Sequence, residues 1–458
     1  MASRENFGSK LGVILAAAGS AVGLGNIWRF PIETGQNGGA AYIIVYIACI
    51  IILGIPIMIS EFAIGRRSRR NTAGAYEALA PGTQWKWIGR LGVFTGFIIF
   101  CYYTVVAGWT LEYSALAIGN AFEGKSAEDY KTIFSEFAGH PIKPLVWMAV
   151  MFLLTHIIIV KGVTSGIEKY SKLMMPALFI IVIILVYCSV TLPKASEGLD
   201  FLLKPDFSKI TGNTILNAMG QAFFSLSLGL GCLCTYASYF AKDTNLTKTA
   251  LNVCGIDTFI AVMAGFIIFP AVFNAGYQLQ PSDVGPSLIF ITLPSIFQES
   301  FSQMPIVGYI FAVMFYLLLV VAALTSTISI HEVVNAYIQE EWHLTRSQAA
   351  WVVTGGCMFL GFFSCWSFGW LSDFKIFGMT VFDLFDFCAS NIFLPVGGML
   401  ISIFTGWRLD KKMLKAELSN EGSLKVPLFG VYTFILKFIA PLAIGLVLLN
   451  QLGLFKLL

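Results

Sequence analysis

Two stretches of this chain set glycines, hydroxyls and amides inside otherwise apolar runs. The first, LGVILAAAGSAVGLGNIWRFP (Leu11–Pro31), carries Gly19, Ser20, Gly23, Gly25 and Asn26. The second, QAFFSLSLGLGCLCTY (Gln221–Tyr236), carries Gln221, Ser225, Ser227, Gly229 and Gly231. Each glycine weakens a helix by about 1 kcal/mol relative to alanine, so such runs predict an unwound turn. An unwound turn bares carbonyls, which coordinate a hard cation, and helix N-termini, which attract an anionic group. In hydrocarbon such backbone survives only where it lines a cavity or is buried in protein. This is the chemistry of binding. Covalent catalysis has no support: there is no GxxxxGK[ST] loop and no serine elbow. His140 and His343 fall in loops and His156 and His331 stand isolated, so no histidine cluster has metal-ligand spacing.

These stretches must be held by membrane helices. The chain has 458 residues, 57% hydrophobic and 12% charged, against ~25% charged in ordinary soluble domains. Mean hydropathy is +0.77. The class is all-α integral membrane protein, and the net charge of +3 is too small to point to nucleic acid. About eleven segments can each cross the hydrocarbon: 11–36, 41–65, 91–118, 144–160, 170–192, 214–240, 252–273, 307–338, 349–370, 378–405 and 429–452. Leu288–Phe297 is too short to span and reads as a lid or re-entrant piece. The nine cysteines sit mostly in apolar runs, and Cys232 and Cys234 lack the CxxC spacing. No cleavable signal is expected, because the first apolar stretch is long and carries Asn26 and Arg29. Lys and Arg crowd the loops on the N-terminal side, Arg66, Arg67, Arg69 and Arg70 in one loop alone. That bias predicts a multi-pass plasma-membrane protein with a cytoplasmic N-terminus and an external C-terminus.

The tetrads Val22–Gly25 (VGLG) and Leu228–Gly231 (LGLG) lie five segments apart. Five is odd, so the second copy enters the membrane inverted. Glycine-interrupted helices at matching positions of inverted halves point to the central site of a transporter. The expected organisation is one transporter domain: a first repeat over 1–192, a second over 213–405, and a loop and last span over 406–458. Within the spans, Arg29, Asp383 and Asp386 are ionisable and functional by default. Gly166 and Pro176 predict that the start of the fifth span can unwind.

The motifs GSAVGLGNIWRFP (19–31), NGGAAYIIVYI (37–47), GIPIMISEFAIGR (54–66), YYTVVAGWTLEY (102–113), GQAFFSLSLGLGCLCTYASY (220–239), FITLPSIF (290–297) and AALTSTISIHEVV (322–334) resemble the neurotransmitter:sodium symporter family, in particular its leucine-transporter-like bacterial members with eleven spans. The resemblance runs in order through the first eight spans. It implies sodium-coupled symport of apolar amino acids into the cell by alternating access, with two sodium sites and no organic cofactor. It implies a first sodium site at Ala21, Asn26, Ser225 and Asp257, and a second at Gly19, Val22, Ala322, Thr325 and Ser326. Carbonyl, hydroxyl, amide and carboxylate oxygens suit a group-I cation.

The resemblance also implies a substrate pocket. Tyr103 and the amides near Leu24 and Gly25 would take the carboxylate, with Ser20, Ala21, Phe224, Ser225 and Ser227 at the amino group and backbone atoms. Ile99, Phe224, Leu230 and Ile330 would enclose the side chain, and Ser326 adjoins. Gly23 stands where monoamine carriers of the family place Asp, which favours a substrate with its own carboxylate. Leu230 replaces a larger aromatic residue, leaving room for a bulky or aromatic side chain. Asp257, often Asn in the family, could supply the charge otherwise brought by chloride, beside Tyr46, Gln221 and Ser225. Arg29 and Asp386 would form an outer gate. Arg4, Phe7, Ser238, Tyr239, Glu332 and Glu340 would form the inner one, with Arg4 facing Glu340. Glu61 is expected to brace the unwound backbone, and Glu112 has no assigned role. Beyond the amino acid and the bilayer, no partner is called for. A transporter-like sensor and a channel are the alternative readings, separable by sodium-dependent uptake into proteoliposomes.

Overall fold

The computed structural model describes residues 5–277 and 285–454. Helix dominates, and an isolated bridge between Ile376 and Met379 is the one β feature among the described residues. The first broken span comprises α1 (Lys10–Ala21) and α2 (Gly25–Gln36), bent by 56°. Then come α3 (Ala40–Ser68), α4 (Lys86–Ile118), α5 (Lys143–Val160) and α6 (Val163–Val190). Next, α7 (Gly212–Ser225) and α8 (Cys232–Ala237) are separated by a non-helical turn. The chain continues through α9 (Leu246–Asn274), α10 (Pro305–Glu341), α11 (Arg346–Trp366), α12 (Val381–Arg408) and α13 (Phe429–Gln451).

Among the described residues nine helices are long and apolar enough to cross a membrane, and the α1–α2 pair makes a tenth. The expected span 214–240 is divided between α7 and α8, and neither half is long enough to cross alone. Expected borders move by a few residues elsewhere. The largest shift is at α6, which begins at Val163 rather than 170. Leu288–Ser300 is a short apolar helix, below the length of a span.

Polar residues fix where helices start. Ser9 caps α1 by accepting the Gly12 N–H, Thr211 and Thr214 form a capping box on α7, and Asn245 caps α9. The start of α6 is a π-bulge, Val163–Glu168, entered through Gly162 at φ +94°. The expected weak point of the fifth span is thus a widened turn, not an open coil. The flanks carry large exposed apolar side chains such as Ile51, Ile180, Ile183, Phe359 and Leu442, the band that lipid covers. Inside the bundle α1 packs on α6, α9 and α10, α10 lies along α4, α5 and α11, and α8 lies against α3. This packing brings the two helix breaks together.

Candidate binding site at the two helix breaks

At the first break the chain leaves helix at Val22, which is extended with ψ 113°. The bared groups find new partners. The Gly23 N–H donates to Asn26 Oδ1 at 2.9 Å, and the Leu24 N–H donates to the Tyr103 hydroxyl at 3.3 Å. The Val22 carbonyl accepts from Thr325 Oγ1 at 3.4 Å and Ser326 Oγ at 3.3 Å. A Cβ at position 23 would lie 2.5 Å from Ser326 Oγ and 3.3 Å from the Tyr103 hydroxyl, so a side chain there would displace Ser326 from the Val22 carbonyl.

At the second break Ser227, Gly229 and Gly231 have positive φ of 51°, 84° and 84°. A Cβ on Gly229 would also lie 2.6 Å from the Leu394 carbonyl, so glycine is required there on two counts. Glu61, fully buried on α3, accepts the Gly229 N–H at 2.9 Å. Thr72 donates to the Gly231 carbonyl at 2.7 Å. The expected bracing by Glu61 is therefore seen at the second break. Ser227 Oγ donates to the Ser20 carbonyl at 3.3 Å, which ties one break to the other.

All the residues expected to meet substrate line one cavity: Ser20, Ala21, Leu24, Gly25, Ile99, Tyr103, Phe224, Ser225, Ser227, Leu230, Ser326 and Ile330. Tyr102, Leu394, Asn26 and Gly23 complete the wall. Gly92, which sequence reasoning missed, sets the approach of α4 to Leu230, and Gly96 faces the same side chain at ordinary contact distance. A Cβ on Gly92 would sit 3.2 Å from the Leu230 carbonyl, and one on Gly96 3.7 Å from its side chain.

Two oxygen clusters flank the cavity. In the first, fully buried Asp257 accepts from Ser225 Oγ at 2.8 Å, from Asn26 Nδ2 at 2.7 Å and from the Tyr46 hydroxyl at 3.5 Å. Gln221 donates to the Gly25 carbonyl nearby at 3.5 Å. In the second, Thr325 Oγ1 reaches the Ala322 carbonyl at 3.0 Å as well as the Val22 carbonyl. Gly19 lies against it, a Cβ there being 3.4 Å from Thr325 Cβ.

The description "Sodium:neurotransmitter symporter family" matches residues 4–129 and 137–457. The chain belongs to the sodium:neurotransmitter symporter family. The symporter is 39% identical over 450 residues to YhdH of Bacillus subtilis (strain 168), described as an uncharacterised sodium-dependent transporter, covering 98% of each chain. It is 30% identical over 369 residues to the sodium-dependent serotonin transporter of Drosophila melanogaster, over 71% of this chain and 58% of that protein. Among solved structures it is similar to MhsT in complex with L-phenylalanine: TM-score 0.87, 43% identity, 98% of this chain and all of that one. It is a sodium-dependent membrane transporter, not an enzyme.

The symporter's donor sets fit sodium. Both clusters are made of hard oxygens, and among the described residues no group of three or more His, Cys, Asp or Glu could hold a metal. In the first cluster the Asn26 amide points Nδ2 at Asp257 and Ser225. Its Oδ1 is engaged by the Gly23 N–H, so the oxygens free to face a cation there are those of Asp257 and Ser225 and the bared carbonyls.

The residues expected at the two gates are arranged differently. Arg29 and Asp386 make no ion pair. The Arg29 guanidinium lies 4.6 Å from the centre of the Phe224 ring and 4.0 Å from Glu33. The Asp386 carboxylate accepts from the Tyr102 hydroxyl at 2.9 Å and Ser390 Oγ at 2.8 Å. Each charge is thus satisfied locally. At the opposite end Arg4 lies outside the described residues, and Glu340 accepts from the Asn71 backbone N–H at 2.9 Å. Tyr239 donates to fully buried Glu332 at 2.6 Å, and Arg346 forks onto the same carboxylate at 3.0 and 2.6 Å. The Phe7 N–H donates to the Tyr239 carbonyl at 3.1 Å, its ring among Tyr236, Tyr239 and Phe240. Ser238 Oγ donates to the Thr235 carbonyl. Arg346 is the member that sequence reasoning missed.

Other expectations change as well. His156 and His331 are not isolated: both contact the Thr354 hydroxyl, at 3.0 and 3.1 Å. Glu112 gains a role, pairing with Lys143 at 2.5 Å and accepting from the Trp147 indole. The nine cysteines are free thiols.

Proposed function

We propose that the symporter carries apolar L-amino acids, bulky and aromatic ones included, into the cell together with sodium by alternating access. The observation that carries this reading is the cavity at the paired breaks. Bared backbone and the Tyr103 hydroxyl stand at one side, and Ile99, Phe224, Leu230 and Ile330 form apolar walls. A zwitterion with an apolar side chain matches that split, and the L-phenylalanine of the MhsT complex is of this class. With glycine at 23 there is no carboxylate to pair with an amine that lacks its own.

In this reading the Ala21, Asn26, Ser225 and Asp257 oxygens hold one sodium beside the substrate. Gly19, Val22, Ala322, Thr325 and Ser326 hold a second. Two ions moving with a zwitterion carry two charges, about 4.6 kcal/mol at ~100 mV. That supports a roughly thousandfold substrate gradient. The buried Asp257 carboxylate supplies negative charge at the first site, so transport is independent of chloride. Replacing chloride by gluconate is expected to leave uptake into proteoliposomes unchanged. The halves 1–192 and 213–405 act as inverted repeats, the N-terminus is cytoplasmic and the C-terminus external. Arg29 and Asp386 close the external side in an occluded state that differs from the arrangement described above.

Competition binding of the twenty amino acids with and without sodium tests the reading. Apolar and aromatic L-amino acids should compete, and only in sodium. Equal affinity in potassium would overturn it.

A further inference from the structure

The segment before α1 and the start of α6 cap one another. The Val163 N–H, at the start of α6, donates to Glu5 Oε2 at 2.7 Å. In return the Gly8 N–H donates to Glu168 Oε2 at 2.6 Å, and Ser9 Oγ donates to Glu168 Oε1 at 2.9 Å. Ser9 is itself the cap of α1. The Glu168 side chain is 2% exposed, and its charge is balanced by Lys172 at 2.6 Å. The fit is close, since a Cβ on Gly12 would run into the Glu168 carboxylate. Each helix start, which favours negative charge, thus receives a carboxylate from the other segment. Seven residues beyond Glu168, about two turns, Met175 Sδ lies 3.5 Å from the Cβ position of Gly19, in the second oxygen cluster. The exchanged caps therefore stand at one end of the α1–α6 seam that leads to that cluster.

We propose that Glu5 and Glu168 form a reciprocal clasp whose release frees α1 and the π-bulge of α6 together, and that Glu168 is the positioning residue governing sodium retention at the second cluster. This rests on the sodium-coupled reading above. Neither segment can leave alone without stripping a charged acceptor from the other, so the two openings are one event. The carboxylates act on the ion through the helices and do not touch it.

The test is hydrogen–deuterium exchange on the full-length protein in detergent, with sodium titrations of substrate binding, for wild type, E168Q, E5Q and G12A. In E168Q, exchange is expected to rise about tenfold or more at 8–12 and at 163–168 alike, the effect of losing a hydrogen bond to a charged group. Apparent sodium affinity should fall about threefold or more, because the competent state is less populated. Substrate affinity in saturating sodium should stay within about twofold. E5Q should loosen the same two segments. G12A keeps both carboxylates but crowds Glu168, and should behave like E168Q; it carries the test should E168Q not fold. Exchange rising at one segment only would overturn the clasp. Exchange rising at both with sodium affinity unchanged would overturn its role in ion retention. A wild type indifferent to sodium would instead sink the transport reading, leaving the exchange result to judge the clasp alone.

Discussion

The two ends of the broken helices are held in different ways. At the Arg29 end, Arg29 and Glu33 stand 4.0 Å apart with 28% and 21% of their side chains exposed. Asp386 is occupied elsewhere. At the Tyr239 end, Glu332 is fully buried and takes a forked guanidinium and a phenol at once. Partly exposed pairs at long range contribute about 0–1 kcal/mol, whereas stripping one partner from a buried pair costs about 3–5 kcal/mol. The structure is therefore shut firmly at one end and loosely dressed at the other. A cycle that opens the firm end must move Arg346, Glu332 and Tyr239 as a set.

The largest expected effect comes from breaking the firm end. Arg346→Ala leaves a buried, unpaired carboxylate and should cost about 3–5 kcal/mol, read as a lowered unfolding temperature of the purified protein and loss of uptake. Tyr239→Phe removes one hydrogen bond to a charged group and should cost about 1.5–3 kcal/mol. It should favour opening at that end, measured by cysteine accessibility along the Phe7–Tyr239 seam. At the loose end Tyr102→Phe removes one of the two hydroxyls that hold Asp386 away from Arg29. Substrate should then bind tighter and leave more slowly by about fivefold, because Ser390 still holds Asp386 and offsets part of the lost bond to a charged group, seen in dissociation kinetics. Glu33→Gln should be smallest, about 0–1 kcal/mol, read as a change of no more than about fivefold in affinity. If Glu33→Gln outweighed Arg346→Ala, the contrast between the ends would be false.

The glycine-rich tetrads were enough to locate both breaks, because a helix interrupted at Gly23 or Gly229 leaves its mark in the local string. The cavity wall was legible only through the motifs that resemble the family: the residues these imply on α1, α4, α7 and α10 line one space. What stayed hidden depends on contacts between distant positions. Arg346 sits among loop charges and reads as one more basic residue, yet it reaches back fourteen positions to Glu332. Thr72 carries no signal in the local string, yet its hydroxyl reaches the Gly231 carbonyl. Arg29 and Asp386, the two sides of the gate that the resemblance implies, stand apart here, each with a nearer partner that its own stretch of sequence does not mark. Histidines 156 and 331, apart in sequence, share a hydroxyl that no local pattern announces.

The hold of Glu61 and Thr72 on the Gly229–Gly231 turn has a mechanical outcome. That turn is fastened to α3 and the short helix after it, while Tyr103 and Ile330 belong to α4 and α10. The hollow between them is thus walled by different helices, which meet where Gly92 of α4 lies against the Leu230 carbonyl. In the transport reading proposed above, a tilt of one wall about that contact changes the bite along the whole cleft at once, with no hinged flap.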